Sequence, residues 1–198
     1  MPTRLSRPEQ VERNRAQLLA TARQAFLRRG YTGATLDALA DEAGFTKGVV
    51  YSHFAGKSDL FLALLEQRIE ERAEENDRLV DEHPGPGVLA ALMRANARRS
   101  TEGAEWARLL IEFRTVAARD PGLNARYAAL HERSLDRMNR ATARALERDG
   151  LIPVYPLATF VGLIFALNSG VVLEQAADVT AFTPELLEDL IARLVIPR

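Results

Sequence analysis

Between Thr35 and Lys57 the sequence gathers Thr46, Lys47, Gly48, Tyr51 and His53, a run of hydroxyl, ammonium, phenol and imidazole groups with no carboxylate from 46 to 53. Such groups donate to anionic oxygen. Thr, Tyr and His suit phosphate oxygens, and a lysine reaches either a phosphate or a base edge. Gly48 removes a side chain where a partner must approach the backbone, while Val50 and Phe54 can point inward. Lys57 opens the next helix, where a positive helix end and an ammonium group would face one anion together. No nucleophile, base and orienting group occur as a set, so the chain reads as a binding protein and not an enzyme. It contains no cysteine, and His53, His83 and His131 share no helix at metal-ligand spacing, so neither metal nor cofactor is expected.

These groups need short, rigid elements to hold them. Apolar residues recur at helical spacing nearly throughout and no stretch alternates as a half-buried strand does, so the fold class is all-α. Residues 8–29 place Val11, Leu18, Ala22, Ala25 and Phe26 on one stripe and stop at Gly30. Thr35 caps a short helix over 36–43, Gly44 supplies the turn, and Thr46 caps a third helix over 47–54. Two short helices on a tight turn, entered from a longer one, have the dimensions of a helix-turn-helix. A long helix over 57–80 follows, ended by Pro-Gly-Pro-Gly at 84–87. Further helices are predicted at 87–100, 104–119, 122–148, 156–177 and 184–195.

Charge supports the same division. In 198 residues the formal net charge is −1, yet residues 1–57 carry nine Lys and Arg against five Asp and Glu. The remainder holds 17 basic and 22 acidic residues, which divides the chain into a basic domain, 1–57, and an acidic one, 58–198. The opening segment MPTRLSRPEQ lacks an apolar core, so no signal peptide is expected and the protein should stay in the cytoplasm. Arg4 and Arg7 on this segment suit either a minor-groove arm or a solvated terminus.

Residues 15–65 resemble the DNA-binding domain of the TetR family of bacterial transcriptional regulators. The resemblance is carried by Ala22-Arg23, Phe26, Gly30-Tyr31, Thr35, the stretch Ala40–Gly44, Thr46, Gly48, Tyr51-Ser52-His53-Phe54 and Lys57. It implies that Thr35, Thr46, Tyr51, His53 and Lys57 hold phosphates while Lys47 and its neighbours read bases. It also implies a helical ligand-binding and dimerisation domain behind the head, double-stranded operator DNA and a small-molecule effector as partners, and most often repression. The alternative is a small-molecule carrier or sensor without operator control.

In the body, residues 157–173 are apolar around the whole helix, which suits burial between two subunits better than a membrane span. Gly162, Ala166 and Gly170 form a small-residue stripe suited to a homodimer contact, and Phe160, Ile164, Asn168 and Val171 fall on the opposite face. Trp106 and Phe113 on one helix and Tyr127 and His131 on the next complete a candidate ligand site with Phe160, Ile164 and Asn168. Taken one at a time, each of these reads first as ordinary core, and His131 as a partly exposed surface histidine. Such a wall favours an apolar or aromatic effector, although Glu112 could accept a cation.

Overall fold

The computed structural model describes residues 6–102, 104–176 and 183–198. Nine helices occur among them: α1 (Arg7–Gly33), α2 (Leu36–Ala43), α3 (Lys47–His53), α4 (Lys57–Glu82), α5 (Val88–Glu102), α6 (Ala104–Ala117), α7 (Pro121–Asp149), α8 (Leu157–Ala176) and α9 (Pro184–Ala192). The sequence missed one feature. β1 (Leu151–Pro153) and β2 (Val195–Pro197) pair antiparallel with Ile152 opposite Ile196, and three residues each are too few to show alternation.

The chain folds into two compact units, one formed by the residues up to Arg68 with Leu109–Tyr127, the other by Ile69–Arg108 with Ala128–Arg198. This packing division does not coincide with the charge boundary at 57/58, because the early part of α4 and the later part of α6 belong to the core of the first unit. There Phe61 meets Phe26 edge-on at 5.3 Å, Phe113 lies 4.3 Å from Phe61, and Tyr31 packs on Phe113 at 5.0 Å. Leu18, Leu39, Val50 and Leu60 are fully enclosed around them. Burying an aromatic or aliphatic side chain of this size contributes roughly 1.5–3 kcal/mol, so the two short helices α2 and α3 are held by this shared core and not by their own length.

The second unit has a core of Val80, Val88, Leu92, Met138, Ala145, Phe160, Val161 and Ile164. The start of α5 is fixed by Asp149, whose carboxylate accepts from the backbone N–H groups of Gly87, Val88 and Leu89 at 2.8, 3.0 and 2.8 Å. These are the orphan donors of a helix N-terminus, and a carboxylate is their best acceptor. Within α8 an 18-residue window, Leu157–Glu174, is long and apolar enough to cross a membrane, and only 28% of it is buried by its own chain.

Candidate nucleic-acid interface

Each element of the head is closed by the residue type its geometry demands. Thr35 Oγ1 accepts from Ala38 N at 3.3 Å to start α2, and Thr46 Oγ1 accepts from Val49 N at 3.4 Å to start α3. Both hydroxyls keep a proton to donate outward, and both residues are exposed. Gly44 ends α2 at φ 72°, and its N–H and that of Phe45 return to the carbonyls left over by the helix. On α3, Val50 and Phe54 are buried as expected. The opposite face is open: Lys47, Gly48 and Tyr51 are exposed, with Tyr51 at 54%, and His53 is half-buried beside Phe54. A Cβ on Gly48 would meet nothing nearer than Thr46 Oγ1 at 3.9 Å, so this position leaves bare backbone toward solvent.

Lys47 is ion-paired with Asp37, and the hydrogen bond to Asp37, followed by the charges of Asp37 and Asp41, pushes its ammonium pKa up. Both side chains are more than half exposed, so a phosphate or a guanine edge can replace the partner at little cost.

Lys57 takes a different part from the one expected of it. Its ammonium donates to the carbonyls of Tyr31, Thr32 and Ala34 at 2.9, 3.3 and 3.0 Å and sits 4.7 Å from the centre of the Tyr31 ring. All three protons are committed to the corner between α1 and α2. Burial lowers the pKa of this ammonium, and the charge of Glu112 opposes that. Lys57 therefore sets the backbone at this corner instead of presenting a free charge to a phosphate.

Glu112, which the sequence offered as a cation acceptor, closes the same corner from the other side. The backbone N–H groups of Tyr31 and Thr32 donate to its two oxygens at 2.8 and 2.7 Å. Burial resists ionisation, but these hydrogen bonds and the charge of Lys57 outweigh it and hold the carboxyl below its ordinary value. The two amides are free because Gly30 breaks α1 at φ 72°, ψ 173°. That conformation is open essentially to glycine alone, and a Cβ there would stand 2.7 Å from Glu112 Oε2. Tyr31 OH meets Ser58 Oγ at 2.9 Å on the same corner.

With the fold and this face in view, the comparison with known proteins is direct: residues 18–64 match the family model described as bacterial regulatory proteins, tetR family. Residues 18–64 thus form a TetR-type DNA-binding domain. Relatives extend beyond the head. The repressor AcnR of Corynebacterium diphtheriae is 29% identical over 171 residues, covering 81% of this chain and 84% of its own. The regulator YfiR of Bacillus subtilis is 21% identical over 179 residues, 87% of each chain. Among solved structures, FadR of Bacillus subtilis, crystallised with stearoyl-CoA, superposes with a TM-score of 0.70 at 15% identity over 90% of this chain and 96% of its own, a likeness of fold. The chain is thus a transcriptional regulator with a TetR-type helix-turn-helix head.

The candidate ligand residues are divided between the two units. Phe113 and Tyr127 belong to the first unit, where Phe113 is wholly enclosed and Tyr127 packs on it at 5.8 Å. Phe113 is therefore aromatic core and not a pocket wall. In the second unit Trp106 is buried, His131 packs edge-on to Phe165 at 6.0 Å, and Phe160 and Ile164 are enclosed in the main core. Asn168 is half-buried, on a helix of whose apolar window 28% is buried. Gly162 and Gly170 have open space at the Cβ position, and Ala166 is exposed. Arg7 begins α1 behind a Ser6 N–H to Glu9 hydrogen bond, and Arg4 lies outside the described residues.

Proposed function

We propose that this regulator is a homodimeric repressor that holds a pseudo-palindromic operator with α3 in the major groove and leaves it when a small molecule binds the second unit. The observation that carries the reading is the asymmetry of α3, a seven-residue helix with one face in the core and donors and bare backbone on the other. Thr35, Thr46, Tyr51 and His53 take phosphates, and Lys47 gives up Asp37 for a base edge. Repression and ligand control are supported by the repressor AcnR and by the acyl-CoA complex of FadR. Trp106, His131 and Asn168 remain candidates for effector contact. The protein works in the cytoplasm as a regulator, without catalysis.

Dimerisation doubles the contacts of one head on half-sites a helical turn or more apart. The Gly162, Ala166 and Gly170 stripe is its contact, because it stands open on a helix whose apolar surface the chain leaves mostly uncovered. Selection of bound fragments from genomic DNA, followed by titration of duplex at several salt concentrations, tests the whole reading. Sequence-selective, salt-sensitive binding is expected, and its absence would leave a small-molecule carrier as the function. Gly170→Leu is expected to give monomers in sedimentation and to lose operator affinity with the head untouched; an intact dimer would move the interface elsewhere.

A further inference from the structure

Beyond that reading, we infer that the second unit binds a hydrophobic primary ammonium compound in a cavity walled by α5, α9 and the β1–β2 ribbon. The cavity measures about 280 Å³, and its wall includes Leu89, Ala90, Met93, Leu151, Ile191 and Val195. None of the effector candidates named from the sequence lies on it. Two of its walls, α5 and the ribbon, are fixed. Asp149 pins the start of α5, β1 and β2 pair across Ile152 and Ile196, and the ribbon is tied further by Val154 N–H to Leu194 O at 2.9 Å and Arg198 N–H to Gly150 O at 2.9 Å. A half-open cleft with apolar walls leaves dispersion contacts unmade and offers water at those walls few polar partners. An apolar body of about ten heavy atoms restores those contacts.

The sign of the ligand follows from the wall. Its ionisable groups are Asp149 and Glu188. Asp149 is spent on three backbone N–H groups. Glu188 is held by one contact at 3.3 Å to Arg94, with both side chains about two-fifths exposed. A loose, half-exposed pair exchanges readily, so a ligand ammonium seated in the apolar cavity takes Glu188 from Arg94, while a carboxylate on the same skeleton would meet two acidic groups.

The test uses 3-phenylpropylammonium and 3-phenylpropanoate, titrated by calorimetry into the full chain without DNA, so that its outcome is independent of operator binding. Saturable binding of the ammonium is expected, with Glu188→Gln weakening it about five- to tenfold and Arg94→Ala strengthening it. Ala90→Trp, at an exposed position of the wall, fills the space and is expected to abolish binding while the thermal unfolding temperature is kept. No saturable binding, equal affinity for the carboxylate, or binding indifferent to both Glu188→Gln and Ala90→Trp would overturn the assignment.

Discussion

The corner at Gly30 in the first unit and the interior of the second treat their polar groups differently. In the first, Glu112, Lys57, Tyr31 and Ser58 converge on one backbone corner, and their donors and acceptors are matched there. In the second, Thr142 Oγ1 and Asn139 Oδ1 are buried without a hydrogen-bond partner among the described residues, a cavity opens beside α5, and less than a third of an apolar helix window is buried. Recognition of a duplex requires donors held at fixed spacing, so over-determination of the head is the physical cost of reading DNA. A sensing body works the other way, since a ligand shifts an equilibrium only by contacts that are incomplete without it.

The comparison breaks most readily at Gly30. Gly30→Ala forces a side chain into the conformation at φ 72°, ψ 173° and against Glu112 at once. The expected loss is about 3 kcal/mol, from backbone strain and the displaced carboxylate together. Thermal unfolding of the variant reads it, and an unchanged unfolding temperature would show that the corner is not strained. Repeating the change in a Glu112→Ala background separates the two causes, because only backbone strain remains.

Next in size is Glu112 itself. Glu112→Ala leaves the amides of Tyr31 and Thr32 to water and Lys57 without its nearby opposite charge, which is expected to cost about 1–2 kcal/mol and to weaken operator binding although no DNA contact is removed. The carboxyl is held below its ordinary value in the folded state, so its contribution is present above the unfolded carboxyl pKa and is lost as pH falls through the lowered folded value. Acid titration followed by unfolding should therefore show a loss of stability that Glu112→Gln lacks. Parallel curves for the two proteins would remove Glu112 from the corner.

Why the sequence showed one unit and not the other follows from these contacts. Thr35, Gly44 and Thr46 act within four residues of themselves, so their caps and turn are readable from spacing, and α2 ends where its glycine stands. Glu112 acts on Tyr31 and Thr32 from about 80 residues away, and nothing in its own helix marks that. Lys57 was read from its helix N-terminus, a local feature, and its acceptors lie more than 20 residues back. The only sequence signal for the corner was Gly30, whose need for positive φ was visible while its neighbour was not. In the body, periodicity assigned Phe113 to a helix face but could not tell which core that face enters. The stripe on α8 was legible because it is a property of one helix.

A smaller effect separates roles on α3. Tyr51→Phe removes one outward hydroxyl and should weaken specific and random duplex alike, whereas Lys47→Ala should change the preference among operator variants by about tenfold. Lys47→Ala that weakens every sequence equally and flattens the salt slope by about one unit would make it a phosphate contact instead. Competitive binding to operator variants at two salt concentrations decides between them.

The smallest change belongs to the body. Thr142 is wholly buried on α7, and its hydroxyl has no partner among the described residues. In the head, removing a polar group from the corner strands the groups it served; here, removal strands nothing. Thr142→Val keeps the branched shape and deletes an under-satisfied hydroxyl, so stability is expected to stay level or rise by up to about 1 kcal/mol. Urea unfolding measures it with an error small enough to tell a gain from a loss. A loss would mean that the hydroxyl is satisfied after all, and the contrast between the matched corner and the second unit would then rest on Asn139, the cavity and α8.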